Sequence, residues 1–588
     1  MDRQELSQLL RKIRKFEKEP LLKGKTKIAV IGSYSIQYFV KILRYFLAEA
    51  GWNCEIYEGE YNGIYTEICY PNSKLHCFSP DYVLLLPFDK DIKEYPALLA
   101  DEKEIRCCLD IVENYYRQIW EALYKIGHVK ILQANIVLPP IRSLGNLEYQ
   151  MECSTCRYLE EVNRRILKVK PPYVTVVDVE HLSRNIGKYQ WFDYPSYFLH
   201  KEGVRLEYMP ELVSLFVSQL YALEGKIKKC LVLDLDNTLW GGVVGDDGWD
   251  GIQLDPNHAV GEAYQAFQQY LLMLKERGVI LAVCSKNEEA TAKEPFEKNE
   301  HMLLHQEDIS CFMANWEDKA SNIRKIAEEL NIGTDSIVFF DDNPAERDIV
   351  RRYVPEVHVV EVPKDPAMYV LQMEKESPFE WLQVTEEDLQ RTSTYQENRK
   401  RRKLQENYID YREYLKALKM RGTAKILVEK DIERFVQLIN KSNQFNLRTV
   451  RYLETDIREM LTEDSIRCIA GKISDRYSQY GIISCIILKK KENICEIDTW
   501  VMSCRVLKRG VEYMMFCAVL KEAAKMGCTK LTAEYRKSKK NHIVEEFYEE
   551  LGFQVTGIYE ENGEWRKEYV LDHLENTKEY EIEEEKDE

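Results

Sequence analysis

The chain is 588 residues long and 45% apolar, with a formal charge of -17 and a pI near 5.4. At about 150 residues per domain, that length implies three or four domains with cores of their own. So acidic a chain is ill suited to broad contact with nucleic acid or anionic membrane, and no apolar run approaches the about 20 residues that span a bilayer.

Taken in chain order, Leu6, Leu9, Leu10, Ile13 and Phe16 recur at helical spacing, and a strand over 27–31 runs into a turn at Gly32-Ser33. Strand-like runs at 82–87, 129–132 and 173–177 alternate with amphipathic segments such as 37–50 and 105–124. This predicts a doubly wound α/β domain over 1–227. A second series over 228–363 has strands at 230–235, 279–284 and 337–340 with helices near 259–277 and 317–330, which implies another parallel α/β domain. Residues 364–421 read as a helical linker whose basic cluster, Arg399-Lys400-Arg401-Arg402-Lys403, lies on a solvated face. Over 422–574 the pattern changes to two helices, a β-rich stretch and further short helices, an α+β domain. The tail 575–588, ending Glu-Ile-Glu-Glu-Glu-Lys-Asp-Glu, is expected to be disordered.

The sequence holds 16 cysteines, many inside strand- or helix-like runs, with no signal peptide in front of them, which predicts reduced thiols in a cytoplasmic protein. The CxxC at Cys153 and Cys156 lacks a second pair at zinc-like spacing and carries no metal or redox expectation.

The densest chemistry lies in Leu231-Val232-Leu233-Asp234-Leu235-Asp236-Asn237-Thr238-Leu239-Trp240. A period-2 strand sets Asp234 and Asp236 on the same side as it ends. Further along, Ser285 and Asn287 follow a strand, Lys319 opens a helix, and Asp341-Asp342 follow another strand. Strand C-termini of an open parallel sheet meet at one crevice, so these groups can reach one ligand. Asp234 would attack phosphorus and Asp236 would move the proton. Thr238, Ser285, Asn287 and Lys319 would hold phosphoryl oxygens, and Asp234, Asp236 through its carbonyl, Asp341 and Asp342 would hold Mg²⁺.

The ordered set DxDxT, Ser, Lys, Asp-Asp resembles the haloacid dehalogenase superfamily, in which the first aspartate is the nucleophile. More narrowly, Val232 to Gly248 together with Phe339-Phe340-Asp341-Asp342-Asn343-Pro344-Ala345-Glu346-Arg347 is similar to the FkbH-like family. The resemblance implies a glyceryltransferase and phosphatase. Such an enzyme takes a glyceryl unit from 1,3-bisphosphoglycerate and loads it onto the phosphopantetheine thiol of a separate acyl carrier protein in polyketide-type pathways. The short Gly-rich stretch 241–251 leaves no room for a large cap after the catalytic strand, as an open site for a bulky substrate would require.

In the third domain, the stretch Ile497 to Glu512 and the later Asn541, Tyr548, Gly552 and Phe553 resemble the GNAT acetyltransferase fold. Of its pyrophosphate loop only Gly510 fits, with Leu507 and Glu512 at the outer positions, which disfavours acetyl-CoA and suits a bare phosphopantetheine arm. Asn541 and Tyr548, seven apart, are expected on one helix face, with Arg505, Arg509 and Gly510 completing the acyl site. Cys504, beside Arg505, Lys508 and Arg509 and ahead of a helix, sits where a thiolate is stabilised. The family resemblance implies that it carries the glyceryl thioester. Asn443-Gln444-Phe445-Asn446-Leu447 also matches the family, with packing and pocket lining both open.

In the first domain, Ser33 after the opening strand resembles the nucleophile of SGNH-type hydrolases, with Asp193 and His200, or alternatively Asp178 and His181, as partners. Gly333-Thr334-Asp335-Ser336-Ile337 looks like a phosphopantetheine attachment motif, but its position as the turn into the Asp341 strand argues against that. Two further readings stand beside the glyceryltransferase: a phosphatase of another phosphorylated acyl or sugar substrate, and a scaffold that docks carrier proteins with little turnover.

Overall fold

A computed structural model describes residues 3–18, 26–127, 129–384, 386–389, 397, 401, 404–405, 408, 410–442, 444–538, 540–561, 564–574 and 579–585. The chain divides into two compact units, Met1–Tyr221 and Ala222–Glu588.

The first unit is built on a five-stranded parallel sheet: β1 (Thr26–Gly32), β2 (Cys54–Glu58), β3 (Tyr82–Leu86), β4 (Lys130–Ala134) and β5 (Val174–Val177), in the order β2-β1-β3-β4-β5. Its longest helix, Glu102–Gly127, buries Leu109, Val112, Tyr116, Ile119, Trp120 and Leu123. That three-and-four spacing makes one apolar stripe against the sheet. The doubly wound expectation holds.

The second unit begins with another five-stranded parallel sheet: β6 (Cys230–Leu233), β7 (Ile280–Ser285), β8 (Ile309–Ala314), β9 (Ile337–Phe340) and β10 (His358–Val359), ordered β10-β9-β6-β7-β8. Every residue of β6, β7 and β9 is buried, as continuous apolar strands covered on both faces must be. This layer extends past residue 363. Helix Tyr369–Glu376 packs Tyr369 and Met373 into the same core as Leu231 and Phe340, and the Trp381 indole donates to the Lys228 carbonyl at 3.0 Å.

The far end of the expected linker packs the other way, with Tyr414, Leu415 and Leu418 of helix Tyr411–Leu418 in the C-terminal core. Within the basic cluster, Arg401 is buried rather than solvated. Its Nε and Nη2 donate to Asp475 at 2.7 and 2.9 Å. A buried carboxylate needs such a fork, which overrides the polar pattern of the segment. Arg399, Lys400, Arg402 and Lys403 lie outside the described residues.

The C-terminal sheet is nine-stranded, of β11 (Arg421–Ile426), β12 (Phe445–Asn446), β13 (Ile466–Ser474), β14 (Gln479–Lys491), β15 (Ile494–Met502), β16 (Lys530–Arg536), β17 (Gln554–Glu561), β18 (Glu564–Leu571) and β19 (Glu583–Glu584). Most neighbours are antiparallel, with β15–β16 and β11–β19 parallel. The α+β expectation holds here, but the tail is not wholly unstructured. Ile582 is buried in the domain core and β19 pairs with Arg421 and Gly422, covering backbone groups that β11 would otherwise leave open at the edge. Among the described residues, no helix is long and apolar enough to cross a membrane.

Candidate functional site

β6 is the central strand of its sheet, with β9 on one side and β7 on the other. Asp234 leaves β6 beside Phe340, to whose carbonyl its amide donates at 3.0 Å, so Asp341 and Asp342 follow at the adjacent strand end. Asp234, Asp341 and Asp342 each present an oxygen within 4.8 Å of the others. Lys319, the first residue of helix Lys319–Leu330, places Nζ 2.9 Å from Asp234 Oδ2 and 2.5 Å from Asp341 Oδ2. Asp234 Oδ1 is buried with no hydrogen-bond partner among the described residues.

Charge is concentrated there. Burial raises Asp341, and the Asp234 carboxylate raises it further against the pull of Lys319; the same causes push Asp342 up to about 6. Burial works to lower the Lys319 ammonium, but Asp234 and Asp341 outweigh it and hold the group above its ordinary value. Three carboxylates facing one ammonium, with an orphaned oxygen between them, suit a hard divalent cation with oxygen ligands.

The Asp236 carboxylate is not one of the clustered oxygens. Oδ1 accepts from the Trp240 indole at 3.0 Å and the Val244 amide at 2.9 Å, and Oδ2 accepts from Asn287 Nδ2 at 2.8 Å. Asn287 also donates to Ser285 Oγ at 3.2 Å, which links the β6 and β7 ends. Thr238 is fully buried and its hydroxyl has no hydrogen-bond partner among the described residues. The turn that carries these groups puts Asn237 in the left-handed region (φ 52). The Tyr369 hydroxyl pins it, donating to the Asn237 carbonyl at 2.9 Å. Gly242 lies at φ 96, a backbone conformation that calls for glycine, and a Cβ there would also meet Asp247 Oδ2 at 2.5 Å. Past it, helix Val244–Gly251 takes the place where a cap would be inserted.

In the C-terminal domain, Cys504 opens the turn Cys504–Val506 directly after β15, and Gly510 (φ 84) caps helix Val511–Lys525. Arg505 Nε donates to Ser503 Oγ at 3.1 Å and Arg509 to the Tyr480 hydroxyl at 2.7 Å. Asn541 and Tyr548 do not share a helix: Asn541 precedes the turn His542–Val544 and Tyr548 lies in the separate helix Phe547–Glu550. Asn541 is fully buried, donating to the carbonyls of Asn446 and Arg536 at 2.8 Å each and accepting from the Ser538 amide and the Tyr535 hydroxyl. Tyr548 is packed among Trp500, Phe547, Phe553 and Tyr569. Both are therefore structural.

The parallel pairing of β15 with β16 ends at Ile497–Ala533. Beyond it, Phe445 and Asn446 pair with Met502 and Val501, and the Arg536 amide donates to the Leu447 carbonyl at 2.8 Å. The segment left open between packing and pocket lining thus packs, as a short strand bridging two others; Asn443 lies outside the described residues.

In the first unit, Ser33 is not joined to the expected partners. Its hydroxyl donates to Asp91 Oδ2 at 2.5 Å, Asp193 caps helix Tyr194–His200 through the Ser196 amide, and His200 is exposed at that helix's end. Asp178 likewise caps helix Val179–Ile186 through the His181 amide.

The family described as FkbH, N-terminal domain, matches residues 27–218. A solved structure of the N-terminal part of a Bacteroides fragilis protein, containing a phosphatase domain and complexed with Mg, is similar at 35% identity and a TM-score of 0.58. It covers 64% of this chain, and the chain covers 99% of it. The chain belongs to the FkbH family. The ribosomal-protein-S18-alanine N-acetyltransferase of Escherichia coli is similar at 14% identity and a TM-score of 0.21, covering 27% of this chain with 99% of its own length matched. Ard1 of Thermoplasma volcanium is similar at 19% identity and a TM-score of 0.21, with shares of 26% and 99%. No curated protein matches.

For this FkbH-family chain, the family match falls on the first unit, whereas the motifs that suggested it lie in the second. Sequence reasoning also missed two supporting residues. Arg347 is buried and donates to the carbonyls of Asp341 and Asp342 at 2.7 and 2.9 Å, holding the turn that presents both carboxylates. The signal was there: Asn343-Pro344 is an N-cap followed by proline at the first helical position, which puts Arg347 one turn into helix Pro344–Tyr353. Tyr369, placed in the linker by its sequence, had no such signal.

Proposed function

We propose that this protein is a Mg²⁺-dependent phosphatase of the aspartyl-phosphate type, coupled to transfer of a glyceryl unit. The observation that carries the phosphatase reading is the division of labour between Asp234 and Asp236. Asp234 is held by Lys319 on one oxygen and unpaired on the other, whereas Asp236 is aimed by Trp240, Val244 and Asn287. One carboxylate is free to attack and the other is positioned to move a proton.

Asp234, Asp341, Asp342 and the Asp236 carbonyl would hold the cation, which when bound neutralises charge on the phosphoryl group. Asp234 forms a bond to phosphorus as the ester oxygen leaves, and Asp236 gives that oxygen its proton. Asp236, now a carboxylate, takes a proton from water as it attacks phosphorus, releasing inorganic phosphate and restoring Asp234. Lys319, Ser285 and Thr238 hold the phosphoryl oxygens through both displacements. The Mg complex of the Bacteroides fragilis relative supports the choice of metal.

The glyceryl half of the reading rests on membership of the family. The Cys504 thiolate attacks the acyl carbon of 1,3-bisphosphoglycerate, a C–S bond forms, and the acyl phosphate leaves as inorganic phosphate. The remaining phosphoester is cleaved at the Asp234 centre. The phosphopantetheine thiol of an acyl carrier protein, acting in trans, then displaces Cys504. Arg505, Arg509 and Gly510 would line the arm's approach over the loop, because Phe445–Leu447 fills the gap between β15 and β16.

Intact-protein mass spectrometry with 1,3-bisphosphoglycerate tests both halves. Wild type should carry a glyceryl adduct, D234N the same adduct heavier by one phosphoryl group, and C504A none. An adduct that survives C504A rejects that nucleophile; identical adducts on wild type and D234N reject Asp234 as the phosphatase residue.

A further inference from the structure

Among the described residues no cap domain is inserted after the Asp234 strand, so selection beyond the phosphoryl group falls to the rim of the phosphatase centre. Trp316 stands on that rim with 72% of its surface exposed. Tryptophan is highly buried on average and is enriched among the residues that carry binding energy at interfaces. Among the described residues none is in ring, hydrogen-bond or cation contact with its indole.

The loop beneath it is fixed. The Asn315 amide donates to the Ser285 carbonyl at 3.1 Å, and Asn315 exchanges side-chain hydrogen bonds with Asn322 at 2.8 and 3.3 Å. Asp318 caps the next helix through the Ser321 amide at 2.8 Å. Trp316 is therefore one residue from the chain that lies on Ser285 and three residues before Lys319, whose ammonium touches Asp234 and Asp341. Each backbone step is about 3.8 Å, which keeps the Trp316 backbone near the mouth of the centre.

The opposite lip is acidic. Val244 donates its amide to Asp236, and a Cβ on Gly245 would lie 3.8 Å from Asn287 Oδ1, so helix Val244–Gly251 starts over the site. It carries the exposed Asp246, Asp247 and Asp250, and Glu317 follows Trp316 on the other side. Glu317 is paired with Lys325 at 2.5 Å and Lys286 with Glu346 at 2.6 Å, which leaves the aspartates of the helix as the lip's charge. A second anionic group on the substrate would meet this acidic lip at a cost, whereas an uncharged chain would not.

We propose that Trp316 is a specificity-determining residue of the phosphatase centre, its indole face taking the uncharged thioester end of the phosphoglyceryl group, an acyl thioester being the chemical class that fits; the phosphoglyceryl thioester of pantetheine stands in for the one carried on Cys504. This rests on the phosphatase and glyceryl readings above. Turnover should be compared between the phosphoglyceryl thioester of pantetheine and 3-phosphoglycerate, which replaces the thioester with a carboxylate. Wild type should favour the thioester. W316A should reduce the ratio of the two kcat/KM values about tenfold, chiefly through the KM of the thioester, and W316F should restore most of the ratio. An unchanged ratio in W316A overturns the proposal. A wild type that hydrolyses 3-phosphoglycerate as readily as the thioester overturns the neutral-tail reading with the phosphatase left standing, whereas a wild type inert toward both overturns the phosphatase reading itself.

Discussion

Lys319 holds Asp234 by one oxygen: Nζ lies 2.9 Å from Oδ2, while Oδ1 is buried without a partner among the described residues. An ammonium in that position pairs with one oxygen of Asp234 and leaves the other for chemistry. Removing it as Lys319→Met should lower kcat/KM on any phosphomonoester by about 10²- to 10³-fold, the usual loss when one group that stabilises transition-state charge is deleted. Steady-state phosphate release measures this. A loss below tenfold would mean that Lys319 serves folding alone.

Asp236 is positioned by Trp240, Val244 and Asn287, with no contact to Lys319 among the described residues. As a proton donor it matters most when the leaving oxygen is basic. Asp236→Asn should therefore slow hydrolysis of an alkyl phosphate by about 10²- to 10⁴-fold and that of p-nitrophenyl phosphate markedly less. Equal losses on both substrates would assign Asp236 a structural part.

Metal binding has a readout apart from activity. Burial and the Asp234 charge push Asp342 up to about 6, so above that pH its carboxylate is ionised at a cost when no cation neutralises it. Metal-free Asp342→Asn at pH 7.5 should melt no lower than metal-free wild type. Mg²⁺ at a hundred times its Kd should stabilise wild type by about 2.7 kcal/mol, and the same concentration should barely stabilise the variant. Thermal unfolding with and without EDTA decides the matter.

The Arg401–Asp475 pair is buried on both sides, and although burial alone would raise Asp475, Arg401 and Tyr480 outweigh it and hold the carboxyl below its ordinary value. Asp475→Asn would leave the guanidinium buried against a neutral amide and should cost about 3 kcal/mol at neutral pH. A lowered carboxyl stabilises the fold above its ordinary pKa of about 3.9 and loses that contribution as pH falls through the folded value. The gap between wild type and the variant should thus narrow below pH of about 4, as read by urea unfolding across pH.

What could be read from the sequence follows from distance along the chain and from backbone rules. Asp234, Asp236, Ser285, Lys319 and Asp341 each sit at the end of a strand or the start of a helix, so parallel α/β topology alone converges them. Tyr369 buttresses Asn237 from 132 residues away, with only its own burial to announce it. Asn541 and Tyr548 were placed together by helical spacing, but a turn separates them and one is consumed by four hydrogen bonds. Ser33 illustrates the opposite error: a serine after the first strand of a doubly wound sheet looks like a nucleophile until Asp91, rather than a histidine, takes its hydroxyl. The acidic tail defeated composition because two residues suffice to pair with the β11 edge.

The most direct test of the Asp234 centre is phosphate release from the phosphoglyceryl thioester of pantetheine by wild type and D234N, each with Mg²⁺ and with EDTA. The account predicts turnover by wild type with Mg²⁺ only, and a loss of about 10⁴-fold or more in D234N. Release by D234N at the wild-type rate would contradict it.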